Sequence, residues 1–395
     1  MQEDVRAIKA DEMEECLDLW EKVFEGVGRS YFEPYFHGDP WFKPDYTRVC
    51  LVDGRIVSAV QICERKVRVG SAEILMGGIG NVATDPDYRG RGYSTRLLED
   101  AVLVMREYGM DLSILFTGIQ PYYERLDWRS APTKLLTGSL RRDVSVGPKS
   151  RCSVRTLDPT SDMASIHQVY EKFNNDRSLT VVRTPEYWKG YLLPHLRKPE
   201  SILVAEENGV VGYLLFEFDK DNCWLRETGC VPGKEDCTEA LIRCAASRAC
   251  EAGVQTIWSY LPNEPQISAV IGMVVKCLEE RESTKMMCRL INADSLGRRI
   301  LPELNRRAQM DMLPDGSISL DTELGSLGLT LEKGRVSQGA GNPVRIIISQ
   351  ADLFCLLFGL KGINELSAAV PDEAARIVSA LFPPQRPVFW QADGF

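Results

Sequence analysis

Residues 73–117 read EILMGGIGNVATDPDYRGRGYSTRLLEDAVLVMREYGMDLSILFT, and this stretch decides the fold. Residues 73–84 are typical of a strand, and residues 94–109 place apolar side chains on one face of a helix. Gly109 is suited to the end of that helix, and a short apolar run after it predicts a buried strand. The succession of strand, turn, helix and strand predicts an α/β (α+β) fold.

The turn between the first strand and the helix reads Arg89-Gly90-Arg91-Gly92. The first turn of a helix has unpaired N–H groups and a partial positive charge, and glycines let the backbone curl around an anion. Two arginines add fixed positive charge and paired donors. The turn therefore predicts a metal-free site for a pyrophosphate. It lacks the Gly-Lys-Ser/Thr of a P-loop and the G-x-G-x-x-G of a dinucleotide site.

Composition and charge narrow the possible partners. The chain has 395 residues, with 47 Lys and Arg against 56 Asp and Glu, a net charge of −9. An acidic chain is a poor polyanion binder, so we expect no nucleic-acid and no membrane partner, and a small cationic molecule or basic peptide fits better. The 12 cysteines show no C-x-x-C spacing, and only three histidines are present. We therefore expect free thiols, a cytoplasmic location and no metal.

One unit of the sequence occurs twice, about 150 residues apart. Each copy has a short strand with an amphipathic helix, followed by a strand–turn–strand segment whose turn is Asp-Gly or Asn-Gly, a strong hairpin signal. The paired segments are 5–24 with 154–173, and 48–62 with 202–216. From about residue 286 the pattern changes to short alternating strands and two helices, which predicts a separate α+β segment.

The segment from Val82 to Gly92, with its P-x-x-R-x-x-G pattern, resembles the acetyl-CoA-binding motif of the GCN5-related N-acetyltransferases. The resemblance implies that acetyl-CoA is the co-substrate and that its pantetheine lies along the end of the first strand, with its pyrophosphate on the loop. Ser94 replaces the Gly or Ala that is usual in the family at its position. The cofactor-binding residues implied in this way are Val82, Ala83, Thr84, Arg89, Gly90, Arg91, Gly92, Tyr93, Ser94 and Thr117.

Residues 121–128, PYYERLDW, resemble the F-Y-E-K-x-G-F signature of the same family. The second aromatic of the signature, here Tyr123, lies near the thioester sulfur in the family and is suited to protonating the departing thiolate, because a phenol stays protonated at neutral pH. Tyr122 is the alternative proton donor, and either tyrosine could instead be a packing residue.

The organisation of the whole chain is similar to that of the enhanced-intracellular-survival (Eis) group. The resemblance implies an N-terminal GNAT domain at 1–148, a second GNAT-like domain without the CoA motif at 149–285, and a sterol-carrier-protein-like domain at 286–395. It implies that the α-carboxylate of Phe395 enters the N-terminal active site and assists the attacking amine. It further implies a homo-oligomer, a hexamer in that group, and a substrate entrance lined by His37, Asp39 and Trp41.

The sequence thus predicts an enzyme that transfers acetyl from acetyl-CoA to a primary amine of an aminoglycoside, a polyamine or a lysine side chain. Direct attack in a ternary complex is favoured, since no cysteine lies within 73–128 to serve as a nucleophile. Two alternatives remain open: an acyltransferase that uses another acyl-CoA, and a CoA-binding sensor or protein-interaction module with little catalysis.

Overall fold

A computed structural model describes residues 3–144, 152–196, 199–310, 313–339 and 341–395. The strands, numbered in chain order, are β1 Glu3–Ala7, β2 Thr47–Val52, β3 Arg55–Val69, β4 Ala72–Thr84, β5 Leu112–Phe116, β6 Arg129–Ser130, β7 Thr133–Leu140, β8 Ser153–Thr156, β9 Ile202–Glu206, β10 Val210–Phe218, β11 Asn222–Cys230, β12 Thr256–Ser259, β13 Val275–Ser283, β14 Met286–Leu290, β15 Gly316–Thr322, β16 Gly325–Glu332, β17 Arg335–Gln338 and β18 Val344–Ile347.

The helices follow the same numbering, and α6 and α7 are joined by a π-helical turn at Trp188–Leu192. They are α1 Met13–Val23, α2 Glu33–His37, α3 Tyr93–Glu107, α4 Gln120–Glu124, α5 Met163–Asn174, α6 Pro185–Tyr187, α7 Leu193–Leu196, α8 Glu235–Glu251, α9 Pro265–Val274, α10 Ala293–Met310, α11 Gln350–Phe358 and α12 Asp372–Leu381. No helix within the described ranges combines the length and the apolarity needed to cross a bilayer.

The chain divides into two compact units, and the first contains residues up to Ala131, residues 284–387 and Phe395. Its larger sheet has the order β1-β2-β3-β4-β5-β14-β6, and its smaller sheet has the order β17-β16-β15-β18. The strands are antiparallel except for β4 with β5 and β15 with β18. The predicted strand–helix–strand stretch is confirmed, because β4, α3 and β5 occupy it.

Both faces of the larger sheet are covered by helices. Neighbouring residues of β2 alternate between two apolar clusters, with Cys50 in the cluster that contains the apolar face of α3 and Leu51 in the cluster that contains the apolar face of α1. This alternation is the period-2 pattern of a strand that is buried on both sides. The arrangement fixes α3 and α1 on opposite faces of β4, the strand that carries the candidate site.

Hydrogen bonds join α10 of the first unit to a turn of its larger sheet. The carboxylate of Glu303 on α10 accepts hydrogen bonds from the Ser71 backbone N–H at 3.0 Å and from the Ser71 hydroxyl at 2.7 Å, at the turn between β3 and β4. Arg306 and Arg307 also donate to this carboxylate. Burial raises the pKa of Glu303, but these hydrogen bonds outweigh it and lower the pKa to about 2.

The second unit contains residues 132–283 and 388–394. Its sheet has the order β13-β7-β12-β11-β10-β9-β8. The predicted Asn-Gly hairpin is confirmed between β9 and β10, with Asn208 at φ 58° and Gly209 at φ 127°. The predicted repeat is also seen in the elements, since β8, α5, β9 and β10 follow one another as β1, α1, β2 and β3 do in the first unit.

A fully buried charge network holds residues 388–394 within the second unit. The Arg183 guanidinium donates to Glu227 at 2.7 Å and to Asp393 at 2.8 and 2.9 Å, and the three side chains are completely buried. Tyr213 donates to Glu227 at 2.6 Å. Arginine suits this position because its planar group can pair with two carboxylates at once.

The expectation of free thiols is wrong for two cysteines, Cys152 and Cys237, which form a disulfide. They are 85 residues apart, so no local spacing rule could pair them. They become neighbours because β8 and α8 pack together in the second unit. Asp236 lies close to both sulfurs, but disulfide sulfurs are not thiolate metal ligands. The ten other cysteines are free.

Two strands pair with strands that lie outside the sequence segment that contains them. Strand β7, within 1–148, pairs with β12 and β13 of the second unit. Strand β14, within 286–395, pairs with β5 and β6 of the first unit. Each sheet is therefore completed by a strand that is distant in sequence, which periodicity alone does not reveal.

Candidate active site

The loop before α3 has the backbone conformation that the glycines predict. Gly90 and Gly92 have φ values of 77° and 78°, and a Cβ atom at either position would meet nothing within 4 Å. Arg89 and Arg91 are exposed on the same loop. Left-handed residues of this kind turn successive backbone N–H groups toward one side, and the first turn of α3 adds its own unpaired N–H groups. The loop can therefore bind an anionic group.

Asp85 holds this loop in place, a role that the sequence reasoning missed. Its carboxylate is 1% exposed and accepts hydrogen bonds from Lys22 on α1 at 2.9 Å and from Arg55 on β3 at 3.1 Å. It also accepts the backbone N–H of Asp87 at 3.1 Å. Burial raises the pKa of Asp85, but the bonds from Lys22 and from the Asp87 N–H outweigh it and lower the pKa. An Asp immediately before a Pro is a turn signal that could have identified this residue.

Strands β4 and β5 pair over only part of their length. Their parallel register runs from Met76 opposite Leu112 to Ile79 opposite Leu115, whereas β4 continues to Thr84. The register of β4 with β3 shifts just beyond this point, and Asn81 has a φ of 51°. A bulge of this kind bends the strand and frees backbone groups from the ladder. The end of β4 is therefore available to bind an extended ligand, as the resemblance implies for pantetheine.

The end of β4, the loop and α4 together border one open cleft of about 240 Å³. It contains most of the cofactor-binding residues predicted from the sequence. Its lining residues are Val23, Val82, Thr84, Tyr88, Arg89, Gly90, Arg91, Gly92, Tyr93, Ser94, Ile119, Tyr122 and Tyr123. Two predicted residues do not line it: Ala83 packs in the apolar cluster beneath α1, and Thr117 follows β5, where its backbone N–H donates to the Lys285 carbonyl at 2.9 Å.

Tyr123 and Tyr122 occupy different environments within this cleft. Tyr123 is 8% exposed, and its ring lies edge-on to Tyr122 and Trp128. Burial, with the neighbouring Tyr122, raises the pKa of Tyr123 to about 12. The Tyr122 hydroxyl donates instead to the Ser94 hydroxyl at 2.7 Å. Tyr123 is thus a protonated phenol whose hydroxyl makes no hydrogen bond within the part of the chain that the structure describes.

Phe395 lies against the same strand, although it is far away in sequence. A Cβ atom added to Gly78 would overlap the Phe395 ring, and one added to Gly80 would be 3.0 Å from the Phe395 carboxyl carbon. The ring also lies 5.9 Å from that of Phe116 on β5. The glycines at positions 78 and 80 of β4 are thus explained, since glycine within a strand marks a close approach by another chain segment. Sequence reasoning did not use this signal.

Cys63 is the cysteine nearest in register to this position, because it pairs with Gly78 across β3 and β4. Directly opposed residues of neighbouring strands project from the same face. Burial raises the pKa of the Cys63 thiol to about 12. The thiolate, which is the nucleophilic form, is therefore scarce at neutral pH.

The three predicted substrate residues are not equivalent. His37 is exposed at the end of α2. The Asp39 carboxylate is 5% exposed and accepts hydrogen bonds from the Arg65 guanidinium at 2.8 Å and from the Trp41 backbone N–H at 3.0 Å. The Arg65 guanidinium lies 5.3 Å from the Trp41 ring centre. Asp39 thus stabilises the loop that carries Trp41. A sequence pattern alone could not distinguish this structural role from direct contact with a substrate.

Comparisons with known proteins agree with this geometry. A family model described as an acetyltransferase (GNAT) domain matches residues 4–131. Among curated proteins, an uncharacterised N-acetyltransferase of Methanocaldococcus jannaschii is 26% identical over 134 residues. That match covers 31% of this chain and 58% of the relative's own length. The N-terminal segment thus has the sequence pattern and the fold of a GNAT-type acetyltransferase domain, as predicted.

Solved structures extend the likeness in fold to the whole chain. They include a probable N-acyltransferase from Enterococcus faecalis V583 (TM-score 0.73, 16% identity, 99% of this chain and 100% of that chain). Eis1 from Mycobacterium abscessus is also similar (TM-score 0.67, 14% identity, 100% of both chains). At such identities the likeness concerns the fold alone. The predicted mixed α/β fold is confirmed, and the assignment to the Eis group stays a prediction.

Proposed function

We propose that this protein is an acyltransferase that moves the acetyl group of acetyl-CoA to a primary amine. One observation carries the proposal: the anion-binding loop, the bulged end of β4 and Tyr123 border a single cleft. The loop and the first turn of α3 would hold the pyrophosphate, and the unpaired end of β4 would bind the pantetheine. Backbone N–H groups near Val82 would polarise the thioester carbonyl.

Tyr123 is the proposed proton donor to the departing thiolate. Its pKa of about 12 keeps it protonated at neutral pH. A phenol without a hydrogen-bond partner among the described residues can turn toward a sulfur atom in the cleft. Once the amine has attacked the carbonyl, the C–S bond breaks, and the electron pair on sulfur takes the Tyr123 proton.

Phe395 is the proposed acceptor of the proton that the substrate amine must lose. An ammonium group cannot attack a thioester, so a group near β4 must first take its proton. An α-carboxylate is ionised at neutral pH and would attract a cationic amine before accepting its proton directly or through water. The position of the Phe395 carboxyl carbon beside Gly80 supports this role.

The remaining segments are proposed to have supporting roles. The turn that opens α8 in the second unit has one glycine with positive φ, Gly233, and its Lys234 pairs with Glu207 at 2.6 Å. This turn lacks the two exposed arginines of the first unit, which supports a second GNAT-like domain that binds no CoA. The C-terminal segment would bring Phe395 to the site. A homo-oligomer is a further part of the proposal.

Release of the CoA thiol, followed with a chromogenic disulfide, tests the proposed function. Acetyl-, propionyl- and malonyl-CoA would each be combined with an aminoglycoside, a polyamine and a lysine peptide. We expect thiol release that depends on both partners and is fastest with acetyl-CoA. Calorimetric CoA binding without thiol release in any combination would favour a sensor, and absence of CoA binding would overturn the proposal altogether.

A further inference from the structure

Ser94 occupies the position where the resembled family usually has Gly or Ala, and its side-chain hydroxyl forms a specific hydrogen bond. Its oxygen accepts a hydrogen bond from the Tyr122 hydroxyl at 2.7 Å, and both residues line the cleft. Ser94 is the second residue of α3, so it lies in the turn whose backbone N–H groups face the proposed pyrophosphate.

The direction of this hydrogen bond determines what the Ser94 hydroxyl can do next. Because Tyr122 donates to the serine oxygen, the serine proton remains for another acceptor. No acceptor for it lies among the residues that the structure describes. A hydroxyl that already accepts one hydrogen bond is a stronger donor for a second one.

Tyr122 is itself held in position on several sides. The Arg125 guanidinium lies 5.1 Å from its ring centre, and Tyr123 lies edge-on to it with a centroid distance of 5.0 Å. Its ring is partly buried against the apolar cluster beneath α3. The phenol can therefore fix the rotamer of Ser94 rather than follow it.

We propose that the Ser94 hydroxyl, oriented by Tyr122, donates a hydrogen bond to an anionic oxygen of the CoA diphosphate. This inference rests on the proposed function, since it requires CoA in the cleft. It adds a side-chain donor to the backbone donors of the loop and makes Tyr122 a positioning residue. It also leaves Tyr123 as the phenol that is free to act on the thiolate.

The test compares CoA binding by calorimetry for the full chain and four variants: Ser94→Ala, Ser94→Thr, Tyr122→Phe and the double variant Ser94→Ala/Tyr122→Phe. A hydrogen bond to a charged group predicts a roughly ten- to hundredfold weaker affinity for Ser94→Ala. We expect a smaller loss for Tyr122→Phe and no further loss in the double variant. Ser94→Thr keeps the hydroxyl and should lose much less affinity than Ser94→Ala. Thr95→Ala, in the same turn but outside the cleft lining, is the control and should bind normally.

Phosphorus NMR of bound CoA separates this role from a purely structural one. In Ser94→Ala the diphosphate resonances should move, while the resonance of the 3′-phosphate should stay. Unchanged affinity, unchanged diphosphate resonances or fully additive losses in the double variant would each overturn the inference while leaving the proposed function intact. If the parent protein binds no CoA, both proposals fall together.

Discussion

The ring of Phe395 occupies the space that a side chain at Gly78 would need. The two residues are far apart in sequence, and both belong to the first compact unit. Strand β4 therefore has its glycine where an aromatic ring lies directly on the backbone. A single methyl group at this position is enough to disturb the contact.

Replacing Gly78 with Ala should move Phe395 away from β4 and lower kcat/KM for acetyl transfer by about 100-fold, because small misplacements of reacting groups are costly. Steady-state kinetics would measure the loss. Gly28→Ala is the matched control, since a Cβ there meets nothing within 4 Å and its φ is −70°. Deleting Phe395 from the Gly78→Ala variant should lower kcat/KM only slightly further. Full activity of the Gly78→Ala variant would contradict the proposed role of Phe395.

Replacing Tyr123 with Phe should lower kcat by roughly 10²- to 10⁴-fold, which is the usual contribution of a general acid, with little change in KM for acetyl-CoA. The fold should be retained, because the lost hydroxyl makes no hydrogen bond within the described residues. Since the pKa of Tyr123 is about 12, the parent enzyme should show no loss of kcat from this group up to about pH 10. An unaltered kcat in the variant would assign the proton donation to another group.

Replacing Arg183 with Met should destabilise the second unit by about 3–5 kcal/mol, because Glu227 and Asp393 would remain buried without their cation. Urea unfolding followed by tryptophan fluorescence would measure this change. The control is Arg226→Met on β11, which removes a partly exposed ion pair with Glu217 and should cost about 1 kcal/mol or less. Equal effects of the two substitutions would show that the buried network adds no special stability.

The first unit should lose stability as the pH falls through the range in which Glu303 becomes protonated. Its folded pKa of about 2 lies below the ordinary value of 4.5, so its contribution is complete above pH 4.5 and is lost as pH falls toward 2. The shift corresponds to about 3 kcal/mol. Glu303→Gln should remove this part of the acid sensitivity in unfolding experiments at several pH values. Glu279→Gln, at an exposed pair with Arg281, should leave it unchanged.

Local patterns predicted the elements of the candidate site well. The apolar periodicity of residues 94–109 and the two glycines of the loop depend on neighbouring residues alone. The sequence was therefore sufficient to predict α3 and the sharp glycine turn before it. The Asp-Gly hairpin was predictable for the same reason: Asp53 and Gly54 adopt positive φ between β2 and β3.

Features that depend on distant residues were not predictable from such patterns. The ion pair of Asp39 with Arg65 joins a loop to a strand, so the structure gives this predicted substrate residue a contact within the protein. The disulfide between Cys152 and Cys237 likewise needed tertiary structure. The glycines of β4 were predictable only in part. Their presence within a strand indicates that another segment comes close, but that this segment is Phe395 followed from the resemblance alone.

The insertion of β14 between β5 and β6 has a consequence for biosynthesis. At about 5–20 residues per second, a ribosome needs roughly 10–30 seconds to travel from the end of β5 to the end of β14. Throughout that interval the nascent larger sheet ends in an unpaired edge at β5, which is a template for association with other chains. Chaperone binding to the growing polypeptide should therefore be strongest in this window, and slowing translation there should increase aggregation.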